Sequence, residues 1–429
     1  MKTEIESLGD CRFESPLRIP QFIKDGAKVL VDVELKTAQE LADSPAFDNA
    51  GPRRKIFFDP PNTTAAIVTC GGLCPGLNNV IQSLVRMLLQ QYGIKNVLGV
   101  PYGFEGLIPE YGHSFIPLNA EAVDSIHQTG GSILGSSRGP QDCARMVDTL
   151  VKNNISMLFA IGGDGTLRGA EMLHQEIKKR GLPIAIAAIP KTIDNDIRFA
   201  HKTFGFATAV SVATGVIHAA HAEAKSAKNG IGLVKVMGRD SGYIAAYVAL
   251  ASNEVNVALI PEVEFALEGT GGLLPYLEER LKKKGHAVIL VAEGAGQKYA
   301  QASGEKDASG NTKHGDIGLF LKNRIEEYLK ERKFPSTLKY IDPSYIIRSV
   351  PASAEDAVFC IMLAQNAVHG AMCGKTGFVV GYWNSYYTYV PLVLATEKRK
   401  KVDPSGYLWT MVKEATGQPD FWPFDNVIT

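Results

Sequence analysis

From residue 65 onward the chain repeats one rhythm: a short apolar run, a stop in glycine and polar residues, then a stretch apolar on one helical face. Ala65 to Cys70 (AAIVTC) is apolar and partly β-branched, and it stops at Gly71-Gly72. Leu77, Val80, Ile81, Leu84, Val85 and Leu88 then recur at helical spacing within Leu77 to Gln91. ISMLFAI stops at Gly162-Gly163, PIAIAAI at Pro190-Lys191, IGLVKVM at Gly238-Arg239 and AVILVAE at Gly294. Runs apolar on both faces that alternate with helices predict an α/β fold with mainly parallel sheets flanked by helices. Ligands of open α/β sheets bind beyond the carboxyl ends of the strands. Five polar loops at such ends predict a phosphate-handling site.

Residues 1–62 differ in character. They carry Pro16, Pro20, Pro45, Pro52, Pro60 and Pro61 among short helical signals, and read as an N-terminal extension wrapped on the surface, bounded by Asp59-Pro60-Pro61-Asn62. A length of 429 residues exceeds what one hydrophobic core usually serves, so two domains are expected. The 45 basic and 45 acidic residues cancel, which gives no global attraction to nucleic acid or an anionic membrane. Any anion site must be built locally. The six cysteines are scattered, and Cys70 and Cys74 lack a second Cys/His pair, so structural or incidental thiols are expected rather than a disulfide framework or a zinc site. The start of the chain has no apolar signal core and no run reaches membrane-spanning length, so a cytoplasmic protein is expected.

The loops differ in what they offer. Gly71-Gly72-Leu73-Cys74-Pro75-Gly76 joins a strand to a helix, where backbone N–H groups can approach an anion; a tight turn without ligand would read the same. Gly162-Gly163-Asp164-Gly165-Thr166 adds a carboxylate able to hold Mg²⁺ beside phosphates, although Asp between glycines is also a common turn. Gly374-Lys375-Thr376 imitates the end of a Walker loop, but His369 stands where that motif needs glycine, so it is a decoy. Pro190-Lys191-Thr192-Ile193-Asp194-Asn195-Asp196 offers one carboxylate to accept a hydroxyl proton and another to orient cations. In Met237-Gly238-Arg239-Asp240-Ser241-Gly242, the planar fork of Arg239 suits phosphate oxygens, against the alternative of a structural pair with Asp240. Tyr345-Ile346-Ile347-Arg348 and Lys339 add an aromatic ring and two cations. His218 and His221 read as packing or surface residues, and Lys398-Arg399-Lys400-Lys401 as a solvated turn.

In the order GGLCPG, GGDGT, PKTIDND, VMGRDSGYIA, VAEG, YIIR, the chain resembles the 6-phosphofructokinases over residues 65 to about 395. The stretch FFDPPNTTAAIVTCGGLCPGLNNVI is similar to the long ATP-dependent group of trypanosomes and plants. The resemblance implies two Rossmann-like lobes: 63–206 with 348–398 for the nucleotide, and 207–347 with 399–429 for the sugar phosphate. It implies phosphorylation of fructose 6-phosphate at its 1-hydroxyl with MgATP in glycolysis, by a homotetramer under allosteric control, with no nucleic-acid or membrane partner. It assigns Asp194 as the base, with Thr192 on the transferring phosphoryl group and Arg239 beside them. Asp164 would bind Mg²⁺, with Asp196 shaping the metal environment. Gly71, Arg138, Gly139, Gly163, Asp164, Gly165 and Thr166 would surround ATP. Thr192, Ile193, Asp194, Met237, Gly238, Arg239, Glu293, Lys339, Tyr345, Ile346, Ile347 and Arg348 would bind the sugar phosphate.

The chain departs from the short bacterial pattern at Gly230, Lys339 and Tyr345, where Arg, Arg and His are usual. Two positions bear on the donor. Gly165 replaces the Asp of pyrophosphate-dependent relatives and leaves room for the α-phosphate, whereas Lys191 is the pyrophosphate-type residue. Exclusion by bulk and like charge outweighs one flexible lysine, so ATP is expected and pyrophosphate is the alternative. Kinases of NAD or lipids share a GGDGT loop but lack PKTIDND and MGR. A non-catalytic sensor on the same fold would not need Asp164, Thr192 and Asp194 together.

Overall fold

The computed structural model describes residues 1–34, 44–300 and 314–421. The remainder of the expected extension (35–43) and of the expected sugar-phosphate lobe (301–313 and 422–429) lies outside the described residues. The chain divides into two compact units: Met1–Ile193, Ile197–Gly205 and Ser349–Arg399 form the first, and Asp194–Asp196, Phe206–Arg348 and Lys400–Thr429 the second.

In the first unit the apolar runs become adjacent strands of one sheet. Its order is Lys28–Leu30, Ala46–Asn49, Tyr386–Pro391, Phe378–Trp383, Ala185–Pro190, Met157–Gly162, Thr64–Thr69, Asn96–Val100 and Ile116–Pro117. The five strands from Phe378–Trp383 to Asn96–Val100 run parallel, and the flanking pairs are antiparallel. Every residue of Met157–Gly162 and Ala185–Pro190 is buried, as strands covered on both faces require. The helical stripe after the first loop forms Leu77–Arg86 and continues through a π-helical turn, Met87–Gln91.

The extension is not merely wrapped on the surface. Ala46–Asn49 pairs with Tyr386–Pro391 and extends the main sheet, and Phe47 and Ile56 are fully buried. Glu6–Ser7 pairs with Lys375–Thr376, the end of the Walker-like decoy, and Lys375 forms an ion pair with Asp48. That lysine is a structural cation.

The second unit holds an all-parallel sheet in the order Val257–Leu259, His286–Ala292, Gly230–Val236, Thr337–Ile341. Its long helices are Phe206–Ser226, Tyr243–Ser252, Leu273–Lys284, Tyr407–Thr416 and Ile317–Glu331, and Leu233, Ile289, Leu277 and Leu321 lie in its core. Asp316 caps the last of these helices, accepting the Leu319 N–H. His218 and His221, expected as packing or surface residues, both bond Glu254, at 2.9 and 3.0 Å. Among the described residues no helix is long and apolar enough to cross a membrane.

Candidate active site

In the first unit three loops meet at the start of the helix Asp164–Lys179. The Gly71 N–H donates to Ser137 O at 3.0 Å, which brings the segment of Arg138 and Gly139 beside the first glycine turn, with Arg138 exposed. Gly163 precedes the helix in an extended conformation and Asp164 is its first residue. The leading N–H groups of such a first turn, here those of Asp164 and Gly165, precede the first N–H that has a helical acceptor and carry partial positive charge. Gly165 is exposed, and a Cβ added there would meet nothing within 4 Å. Thr166 is buried beneath the turn and donates its N–H to Gly163 O at 2.9 Å.

Lys191 ties the third loop to the other two. Its N–H donates to Gly162 O at 3.0 Å and its ammonium to Gly72 O. The side chain is buried, so it is held within the loops rather than free to swing aside. Thr192 is half-buried, its carbonyl accepting the Thr203 hydroxyl at 2.6 Å, and Ile193 is buried.

In the basic run Lys398-Arg399-Lys400-Lys401 the outer lysines are exposed, but Arg399 and Lys400 are not part of a solvated turn. Arg399 Nη2 lies 3.3 Å from Asp164 Oδ2, an oxygen that also receives Arg168 Nε at 3.2 Å. Lys400, in the second unit, donates its N–H to Asp196 O at 2.8 Å, and its ammonium lies 4.9 Å from the centre of the Tyr243 ring. Burial pulls the Lys400 pKa down to about 8, against the opposing charge of Asp196. A run of four cations has the same letters whether it is solvated or folded onto carboxylates, so only tertiary structure separates the two.

In the second unit, Asp194 is half-buried and Asp196 buried, with Asn195 between them at a φ of +54°. Beyond the strand Gly230–Val236, Gly238 adopts a φ of +126°, a region that favours glycine. Gly294 N–H donates to Gly238 O at 3.1 Å, and a Cβ on Gly294 would lie 1.9 Å from Arg239 O. The two loops therefore touch backbone to backbone, which sets Glu293 beside the Met237–Arg239 turn. Burial raises the pKa of Glu293, while Arg239, Lys235 and Arg348 oppose the shift.

The guanidinium of Arg348 lies 4.8 Å from the centre of the Tyr345 ring, and its Nε is buried without a hydrogen-bond partner. A buried donor left in this state suits an anion. Tyr345 and Ile346 are exposed, but Ile347 is fully buried, so its side chain serves packing. Lys339 is not brought to this group within the chain. It is paired with Gly232, which sets it about 13 Å short of the strand end at Val236.

The chain matches the family model described as Phosphofructokinase over residues 64–371. It is 49% identical to the ATP-dependent 6-phosphofructokinase of Borreliella burgdorferi, over 97% of this chain and 96% of that one. It is also 49% identical to ATP-dependent 6-phosphofructokinase 7 of Arabidopsis thaliana, over 87% of this chain and 77% of the other. Among solved structures, a pyrophosphate-dependent phosphofructokinase from Marinobacter aquaeolei matches with a TM-score of 0.68 at 21% identity, covering 85% of this chain and 94% of that one. At that identity the likeness carries the fold alone.

Proposed function

Because the chain belongs to the phosphofructokinase family, we propose that it transfers the γ-phosphoryl group of ATP to the 1-hydroxyl of fructose 6-phosphate, in glycolysis and in the cytoplasm. The observation that carries the donor choice is the open space at Gly165 together with near full-length relatives named ATP-dependent. Pyrophosphate is not favoured. The donor is assigned to the backbone groups of Gly71, Gly139, Gly163 and Gly165 and to the exposed Arg138. The acceptor phosphate is assigned to Arg239 and Arg348, and the sugar to Met237, Gly238, Glu293 and Tyr345. Lys339 keeps a role only if a second copy of the chain presents it.

Asp164 is the residue that would hold Mg²⁺. Among the described residues no three or more His, Cys, Asp or Glu side chains form a metal-holding group. A single helix-terminal carboxylate fits Mg²⁺, which takes one or two protein carboxylates and completes its shell with water and phosphate oxygens. Bound there, the ion would neutralise phosphate charge. Asp194 accepts the proton of the 1-hydroxyl as its oxygen bonds to the γ-phosphorus and the bond to the β–γ bridging oxygen breaks, releasing ADP. Thr192 orients the phosphoryl group and Arg138 and Arg239 offset its charge.

A coupled assay of fructose 1,6-bisphosphate formation with ATP or pyrophosphate tests the reaction. Removal of a general base lowers rates by about 10² to 10⁴. Asp194→Asn should lower kcat in that range with little change in fructose 6-phosphate affinity, and near-normal kcat would refute the base. A homotetramer belongs to the same reading, with a second copy covering the exposed apolar row Val358, Ile361 and Met362 on Ala354–Met372. Sedimentation velocity reads the assembly, and a monomer at assay concentration would refute it.

A further inference from the structure

The one cation in the apolar run IGLVKVM is Lys235. It sits on the strand Gly230–Val236, one residue from its end. Parallel pairing continues Val234↔Ile341, so the next position brings Asp342 beside Lys235. Its ammonium lies 2.9 Å from Asp342 Oδ2 and 3.2 Å from Asp316 Oδ2, with the lysine side chain only 12% exposed. Asp316 caps the helix Ile317–Glu331 and also accepts the Tyr340 hydroxyl at 3.2 Å. Asp342 accepts the N–H and the hydroxyl of Ser344, inside the turn that leads to Tyr345 and Arg348.

We propose that Lys235 is a positioning residue of the sugar-phosphate site, fixing the Met237–Arg239 turn against the Tyr345–Arg348 turn and offsetting the carboxylates beneath them. The inference rests on the assignment of the sugar phosphate to those two turns. Each turn leaves a strand end within a few residues of the ion pairs. Pro343 O accepts the N–H of Ile346 at 2.8 Å, so the 342–348 segment moves with Asp342. Glu293 senses the charges of Lys235, Arg239, Asp342 and Arg348. Lys235, Arg239 and Arg348 thus share one neighbourhood with Glu293 and Asp342, and Asp316 joins it through Lys235. Burial favours the neutral form of Lys235, yet bonds to Asp342 and Asp316 outweigh it and lift its pKa above the ordinary lysine value. Without this cation Asp316 and Asp342 lose their shared counter-charge beside an incoming phosphate dianion, and the two turns lose their common anchor. Either effect weakens fructose 6-phosphate binding before it touches proton transfer at Asp194.

The test is steady-state kinetics and calorimetric fructose 6-phosphate binding on the full chain, with thermal melts, for Lys235→Met, Lys235→Arg, Asp342→Asn and Arg239→Met. Lys235→Met is expected to raise KM and Kd for fructose 6-phosphate about tenfold or more. KM for ATP stays within about twofold and kcat within about threefold, since the loss falls on ground-state binding of one substrate. Lys235→Arg restores most of the affinity, and Asp342→Asn, which cuts the same link from its other end, shifts the same constants by a smaller factor. A folded Lys235→Met with unchanged fructose 6-phosphate constants overturns the proposal, as does Arg behaving like Met. Should Lys235→Met fail to fold, unchanged constants in Asp342→Asn overturn it. Arg239→Met separates the two failures: if it weakens the sugar phosphate while Lys235 and Asp342 variants do not, only the positioning role falls. If Arg239→Met leaves binding intact, the assignment of the site falls and takes the proposal with it.

Discussion

Gly165→Asp adds charge at the proposed donor site with little cost to the fold. The position is exposed, follows Asp164 at the start of a 16-residue helix, and an added Cβ meets no atom within 4 Å. An acidic residue in a first helical turn is worth about 0.3–1 kcal/mol of stability, so the melting temperature should hold or rise. Two unit charges about 5 Å apart at an effective dielectric of 20 interact by about 3 kcal/mol. Solvent at this exposed position screens much of that, leaving about half, or roughly a tenfold effect for one pair. The polyphosphate presents more than one negative oxygen, so kcat/KM for ATP should fall about ten- to a hundredfold. Gly165→Ala is the control, adding the Cβ without the charge, and should stay within about twofold of wild type. The assay couples fructose 1,6-bisphosphate formation to NADH oxidation, with ATP and with pyrophosphate, at matched fructose 6-phosphate. Undiminished ATP turnover in a folded Gly165→Asp variant would refute the argument from space and charge. An equal loss in Gly165→Ala would instead point to the backbone.

Two further variants probe the second unit. Gly294→Ala must push its Cβ away from a position 1.9 Å from Arg239 O, which separates the Arg239 turn from the Glu293 loop. Circular dichroism melts should report a loss of about 1–3 kcal/mol from such overpacking, and fructose 6-phosphate KM should rise with it. Glu262 accepts the N–H groups of Gly242 and Val402 on Oε1 at 3.0 and 2.9 Å, while Oε2 is buried without a hydrogen-bond partner. Burial raises its pKa, so the fold favours the protonated carboxyl, and the stability it contributes is lost as pH rises through the raised value. Glu262→Gln cannot ionise, and its melting temperature should decline less over that window than wild type; parallel curves would exclude this carboxyl as the cause.

The parallel strands and their loops were legible because a strand covered on both faces must be apolar throughout, and such runs have few other readings. The same local logic failed for the extension. Phe47 lies in a four-residue strand paired with Tyr386–Pro391, and its ring centre lies 5.1 Å from that of Phe199, partners no nearby letter announces. It failed again at Arg399 and Lys400, which a charge run hides among ordinary surface cations. Thr166 and Ile347 carry motif letters yet face inward. Lys235 was visible as the odd letter in an apolar run, but its meaning required Asp316 and Asp342, which only the sheet register and the helix cap bring to it.

A chain with no net charge recognises two phosphate compounds on this reading, and its two units meet that demand by different means. The first relies on backbone N–H groups at a helix start, whose dipoles need no counter-ion and can stand ready without ligand. Its one carboxylate there, Asp164, is already flanked by Arg168 and Arg399, so a cation arriving with the nucleotide must compete with guanidinium groups. On the proposed assignment the second unit relies on side-chain charge, and Lys235, Arg239 and Arg348 repel one another. Asp316 and Asp342 hold Lys235 in place, and Glu293 lies within reach of the charges of all three cations before the sugar phosphate arrives. The same acids compete with the phosphate once it binds. On this reading a ligand with two charges and a geometry matching the guanidinium forks overcomes that competition, which favours a phosphate dianion over a neutral sugar.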